Sequence, residues 1–160
     1  MRRLASFHFL VLLLLAGTLS ACDTNDGDSL GTSAYFGTYT GTIAGTANAG
    51  GFPLPISLPG TATFTKTGTD AVSLTVGSGA STTTLIGTYD ERGMRLAGEQ
   101  GVRVTIDQNG KVDGTLALTL NGVSASFVAS GTITRARLKM QLTTAAGSPV
   151  AATLAFDGTK

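Results

Sequence analysis

Residues 116–125 read Leu116-Ala117-Leu118-Thr119-Leu120-Asn121-Gly122-Val123-Ser124-Ala125. Large apolar side chains occupy every second position up to Leu120, an Asn-Gly pair interrupts, and the alternation resumes. Period two belongs to a strand with one buried face, and Asn-Gly suits the positive φ angles of a two-residue hairpin turn. Such a loop pairs Leu120 with Val123 and Leu118 with Ala125. Paired residues then share a face, as antiparallel register requires.

The same alternation recurs on either side of this hairpin. Val72, Leu74 and Val76 are separated by Ser73 and Thr75; Val102, Val104 and Ile106 by Arg103 and Thr105; Leu138, Met140 and Leu142 by Lys139 and Gln141. Val150, Ala152, Leu154 and Phe156 line one face of a last strand. No stretch from Tyr35 onward carries a helical period.

The connections can be tested by parity. Asn109-Gly110 as a two-residue loop would set Ile106 against Asp113, whereas the three-residue loop Gln108-Asn109-Gly110 sets it against Val112 and Val102 against Leu116, with Gly110 as the left-handed residue of a bulge. Glu99-Gln100-Gly101 follows the same rule and pairs Leu96 with Val104 and Met94 with Ile106. Asp90–Gly93 pairs Tyr89 with Met94, and Thr134–Arg137 pairs Ile133 with Leu138. Thr67-Gly68-Thr69 is read as a three-residue loop pairing Lys66 with Asp70 and Phe64 with Val72.

The expectation is an all-β fold, an antiparallel meander of about ten strands. Consecutive hairpins leave two open edges unless the last strand meets the first, so a closed up-and-down barrel is favoured over a two-layer sandwich. An outer-membrane barrel is a poor match, since such strands need ~9–11 residues and aromatic girdles, and the chain has three Tyr and seven Phe.

The first residues read as an export signal. Arg2 and Arg3 precede an apolar run from Phe7 to Ala16, too short for the ~20 residues of a spanning helix, and small residues lead to Leu19-Ser20-Ala21-Cys22. That tetrapeptide resembles the lipobox of bacterial lipoproteins. The resemblance implies cleavage before Cys22, acyl chains on that cysteine, and a place in the cell envelope with the membrane as partner; Asp23 does not decide which membrane. Several chains at ~0.8 kcal/mol per buried methylene hold a protein on a bilayer. The expected organisation is a signal peptide over 1–21, a lipidated Cys22 with a polar tether over 22–34, and a β-barrel domain over 35–160. The acids of the tether, Asp23, Asp26 and Asp28, do not match a calcium loop, because Gly27 falls where a ligand is needed and no bidentate Glu follows.

Composition removes most catalytic classes. The only histidine, His8, leaves with the signal, and Cys22 is the only cysteine. A Ser-His-Asp relay, a thiol nucleophile and His- or Cys-ligated zinc are excluded. Asp90, Glu91 and Glu99 sit in expected turns, where a catalytic pKa is rare. The expectation is no enzyme, no metal and no cofactor. The near balance of 11 basic and 10 acidic residues gives no footprint for nucleic acid.

Gly37-Thr38-Tyr39-Thr40-Gly41-Thr42, echoed by Gly87-Thr88-Tyr89, opens the domain with Gly-x-Tyr behind the tether. This resembles the calycin-like and lipocalin-like barrels of bacterial lipoproteins, although the Gly-x-Trp of lipocalins is absent. The resemblance implies a barrel and the binding of a small hydrophobic or amphipathic molecule, and carries over no binding residue.

Three groups of candidate residues follow. In Gly50–Gly60, Phe52, Leu54, Ile56 and Leu58 are too apolar for a wet loop, and Pro53, Pro55 and Pro59 stiffen it; it reads as a lip over a ligand mouth, as a plug, or as an irregular edge strand. Tyr35 and Tyr39 share a face with Ile43, either to orient a ligand or as core aromatics. Arg135, Arg137 and Lys139, with Arg95 and Arg103 nearby in the meander, offer a basic surface for an envelope protein, acidic glycan or lipid headgroup, or simply for solubility. Inward Gly37, Gly41, Gly114, Ala125 and Ala129 are expected to leave interior space. The alternative is a structural or protein/glycan interaction module with a filled core.

Overall fold

A computed structural model describes residues 31–49, 51–78, 81–120, 123–148 and 150–160. Ten strands follow in order: β1 Gly37–Ala49, β2 Phe52–Lys66, β3 Ala71–Ser78, β4 Ser81–Asp90, β5 Gly93–Ala97, β6 Arg103–Asp107, β7 Lys111–Leu120, β8 Val123–Ile133, β9 Arg137–Thr144 and β10 Ala151–Thr159. Each pairs antiparallel with its neighbours in sequence, and β10 pairs with β1 from Thr40↔Thr159 to Asn48↔Ala151. The sheet is a closed up-and-down barrel. Cys22 and the signal and tether expected before Gly31 lie outside the described residues.

Alternation sets the inside. Tyr39, Ile43, Phe64, Val72, Leu74, Leu85, Leu96, Leu116, Phe127, Leu142, Leu154 and Phe156 are all buried in one core, while the threonines, lysines and arginines between them face out. The hairpins at Leu120↔Val123 and Leu118↔Ala125 are as the sequence indicates. So are Ile106↔Val112, Leu96↔Val104, Met94↔Ile106, Tyr89↔Met94 and Ile133↔Leu138. Gly101 and Gly110 take φ of 78° and 77°, the left-handed turn role assigned to them. The β2–β3 connection differs. Phe64 pairs with Leu74 and Lys66 with Val72, so the loop is two residues longer than Thr67-Gly68-Thr69. The Thr67 N–H reaches the Ala71 carbonyl at 2.9 Å. A slip of two keeps every side chain on its face, so alternation cannot distinguish the two registers.

One end of the barrel is closed by a short 3-10 helix, Thr32–Tyr35, which includes three residues grouped with the tether in the sequence. The helix is fastened across the barrel. Thr32 Oγ1 donates to the Asp90 carbonyl at 2.7 Å, at the end of β4, and Tyr39 Oη donates to the Thr134 carbonyl at 2.8 Å, in the β8–β9 turn. Phe36 packs edge-on against Tyr89 with centroids 5.0 Å apart. Lys160 Nζ donates to the Ala34 carbonyl at 3.2 Å.

The other end is shaped by unequal strands. β5 meets β4 only over Ile86–Asp90, and β6 meets β7 only over Val112–Thr115. Beyond them β4 leans directly on β7, with Thr83 Oγ1 donating to the Ala117 carbonyl at 2.9 Å. β2 does the opposite and overshoots. It pairs with β1 from Ala49↔Phe52 onward, but with β3 only from Gly60↔Ser78. Phe52–Pro59 is therefore an overhanging strand with one partner, which is the edge-strand alternative among the sequence readings and not a loop.

Inward glycines do not leave the interior empty. Gly158, Gly41 and Gly60 are consecutive partners across β10, β1 and β2. A Cβ on Gly60 would lie 2.8 Å from Ile43 Cγ1 and 3.1 Å from Phe156 Cε2, and one on Gly158 would lie 2.5 Å from Phe156 Cζ. The row is a seat for the Phe156 ring. At Gly41 and Gly114 a Cβ would overlap the carbonyl oxygens of Asp157 and Arg103, and at Gly37 the Lys160 side chain. These glycines permit close approach of neighbouring strands or side chains, as expected where a sheet is bent into a barrel. Ala129 is itself core.

Candidate functional site

The overhang carries the most unusual surface. Phe52, Leu54, Ile56 and Leu58 occupy the inward side of β2, continuous with buried Ala62 and Phe64. Because the barrel wall opposite them ends earlier, burial fades toward the tip. Leu58 and Ile56 are half-buried, Leu54 is 51% exposed and Phe52 74%. Val123, on the inward side of β8 at its turn, is 49% exposed. Ala125 and Val150 are partly buried against the same core. These residues make an apolar mouth at the end away from the 3-10 helix. Ile86 and Val128 are also exposed, but stand singly on the outer wall, where an isolated apolar side chain is ordinary.

Charge is distributed unevenly along the barrel axis. In the strand ends and turns around the mouth, residues 44–49, 51–58, 75–78, 81–86, 97–104, 116–120, 123–128, 142–148 and 150–155, the only charged side chains among the described residues are Glu99 and Arg103. Both belong to the retracted β5–β6 hairpin. Lys66, Asp70, Asp90, Glu91, Arg92, Asp107, Lys111, Arg135, Arg137 and Lys160 are at the opposite end or near it.

The free edge of the overhang has its own chemistry. Proline has no N–H, yet the β1 ladder continues through Pro53, Pro55 and Pro59. Its bonds must then come from the even-numbered residues, since N–H and C=O of one residue point to the same side. The carbonyls of Pro53, Pro55 and Ser57 face away from β1, and only Ser57 brings an N–H to that edge. An incoming strand meets acceptors with almost no donors, one of the devices by which edges resist pairing.

The tyrosines are committed elsewhere. Tyr39 is fully buried, edge-on to Phe64 at 6.0 Å, and its hydroxyl has the Tyr35 carbonyl at 3.2 Å besides that of Thr134. Burial, with neighbouring Tyr35, pushes its pKa up to about 12. Tyr35 is raised by burial and by Asp107, and its hydroxyl points to the Gln108 carbonyl at 3.5 Å. Both belong to the closed end, far along β1 from Phe52. The structure thus separates the tyrosines from the lip residues.

Arg135, Arg137 and Lys139 do lie together and exposed, at the β8–β9 turn and along β9. Arg137 Nε donates to Asp157 Oδ1 at 2.7 Å, which holds the Asp157 carboxyl below the usual range and raises Arg137. One of the patch's three cations is thereby balanced within the fold. Arg95 and Arg103 are on β5 and β6, with β7 and β8 between them and β9, so they form no part of it.

A cleft of about 500 Å³ runs along the outer wall by Asp70, Arg92, Arg95, Asp107 and Asp113. Three of its acids are engaged in local structure. Asp90 Oδ1 accepts from the N–H groups of Arg92 and Gly93, Asp107 Oδ1 from those of Asn109 and Lys111, and Asp113 pairs with Lys111 at 2.7 Å. Among the described residues no group of three or more His, Cys, Asp or Glu is placed to hold a metal.

Sequence reading missed two parts of this arrangement. Val123 reads as the buried partner of Leu120, and nothing local reveals that its hairpin stands at the open rim. Thr32 reads as tether, because a lone threonine carries no sign of a distant carbonyl partner. No protein-family profile and no curated protein matches the chain.

Proposed function

We propose that this protein is a non-catalytic bacterial lipoprotein, exported and held in the cell envelope by acyl chains on Cys22, whose barrel binds a small hydrophobic or amphipathic molecule at its mouth. The observation that carries the reading is the exposure of Phe52 and Leu54 on the inward face of a strand that has outrun its neighbour. Apolar side chains aligned on a concave rim lose free energy in water and regain it on covering, at about 25 cal/mol per Å². The single cluster of buried apolar side chains inside the barrel favours a ligand at the rim over one held deep within.

The filled core itself favours a second reading, an envelope interaction module that meets a protein or glycan through its outer surface, with Arg135 and Lys139 among the contacts. Native mass spectrometry of the protein extracted gently from its host membrane separates the two. A discrete small mass beyond the acyl chains is expected for mouth binding. An acylated chain with no further mass would refute it and favour the interaction module, while an unmodified Cys22 would refute the anchor.

A further inference from the structure

Resting on the mouth-binding reading, we infer that the occupant is an uncharged amphiphile with hydrogen-bond donors in its head, a glycolipid-like molecule with an alkyl chain and a neutral hydroxylated head. Three features of the overhang define it together. The inward face of β2 offers Phe52, Leu54, Ile56 and Leu58 at alternate positions along one strand, a track on which an extended alkyl chain buries its length. Among the described residues the surrounding rim has no cation to neutralise a phosphate or carboxylate and no carboxylate to hold an amine, apart from Glu99 and Arg103 on the retracted hairpin. A charged head brought against this rim would lose water without gaining a partner.

The edge supplies the remaining term. With Pro53 and Pro55 unable to donate, the backbone beside the apolar track presents the carbonyls of Pro53, Pro55 and Ser57 and a single N–H. Carbonyls accept, and their complement is a row of hydroxyls or amide N–H groups. A head that can only accept meets unpaired acceptors and is disfavoured. The same prolines that stop another strand from adding to this edge thus select the polarity of what does bind there. A second copy of the chain is a poor occupant for this reason, since strand addition needs both donors and acceptors.

The test compares two amphiphiles of equal chain length as monomers: dodecyl maltoside, rich in hydroxyl donors, and lauryl dimethylamine oxide in its uncharged form, which accepts but does not donate. The protein is the mature chain from residue 22 with Cys22→Ser, so that no acyl group competes and the whole barrel is retained. Amide chemical shifts followed by NMR locate and quantify binding. Dodecyl maltoside is expected to shift amides of residues 45–58 and 123–125 and to bind roughly tenfold tighter than the amine oxide, the worth of about one or two hydrogen bonds. Leu54→Asp, at a half-exposed position that tolerates a polar residue, should abolish both. Pro55→Ala, which restores an N–H to the edge, should narrow the ratio by improving the amine oxide. Equal affinities at the mouth, or a ratio untouched by Pro55→Ala, would overturn the inference and leave mouth binding standing. Shifts from neither amphiphile would overturn the mouth-binding reading itself.

Discussion

Replacing Tyr39 by Phe removes one oxygen from the strut that fixes the 3-10 helix across the closed end. The ring remains, still edge-on to Phe64, so no cavity is opened and the effect is that of the hydroxyl alone. That hydroxyl has one proton and two acceptors, the carbonyls of Thr134 at 2.8 Å and Tyr35 at 3.2 Å. A net hydrogen bond is worth about 0.5–1.5 kcal/mol, and an acceptor left dry costs about 1–3 kcal/mol. The expected loss is therefore roughly 1.5–3 kcal/mol, since part of the Thr134 side is open to water. For a domain of this size that is a fall in Tm of roughly 5–12 °C. Urea unfolding at neutral pH should show a lower midpoint with an unchanged slope. The difference also depends on pH. Folding raises the Tyr39 pKa from about 10 to about 12, so its contribution is complete below pH 10 and disappears as pH rises toward 12. Wild type should lose stability over that interval and converge on Tyr39→Phe, which has no such group to ionise. A loss below about 0.5 kcal/mol, with parallel alkaline profiles, would show that the hydroxyl does not bridge the barrel end.

Gly41→Ala forces a Cβ into the Asp157 carbonyl and must part β1 from β10; it should cost at least about 3 kcal/mol in urea unfolding, and a near-neutral result would argue against the close strand approach. Arg137→Ala should leave the urea midpoint almost unchanged at neutral pH, because the pair with Asp157 is exposed; any small loss should be screened by salt and vanish as pH falls through the depressed Asp157 pKa. Pro53→Ala with Pro55→Ala gives the free edge two N–H donors, and light scattering should reveal association that grows with concentration, whereas a persistent monomer would mean that the prolines do not guard this edge. Cys22→Ser should move the protein from the membrane to the soluble fraction of its host, and retention on the membrane would dismiss the lipid anchor.

How much of this was legible depends on what each feature leaves in the chain. Alternation is written at every position, so the inward set from Tyr39 to Phe156 follows from it, whereas closure of β10 on β1 rests on the cost of two open edges and is settled against a sandwich only by the structure. Parity is blind to even slips, so the sequence cannot tell Val72 from Leu74 as the partner of Phe64. Strand length is written only where a turn residue marks the end, and Pro53, Pro55 and Pro59 look like loop residues until one asks which side their missing N–H groups face. Burial at a rim is not local at all. Leu54 and Leu116 are the same residue type in the same alternation, one half exposed and the other buried, because β3 stops short of the first while the leaning of β4 on β7 covers the second. Tyr39 was readable as an inward aromatic, but the carbonyl that holds its hydroxyl is 95 residues away.

The departures from barrel grammar concentrate in one place. Elsewhere they are single, as in the outward Ile86 and Val128 and the short β5 and β6. On Phe52–Pro59 three rules fail together: apolar side chains meet solvent, a strand lacks a second partner, and prolines interrupt a β segment. Independent accidents of drift would be scattered around ten strands. Each failure here also limits the harm of another, since an exposed apolar edge with free N–H groups would invite aggregation, and the prolines remove those groups while leaving the apolar face open. Protecting the edge by covering the face would have been simpler and would have stabilised the barrel. An open face beside a guarded edge is what the mouth-binding proposal requires, because local violations retained with their own compensation are expected where function sets the sequence.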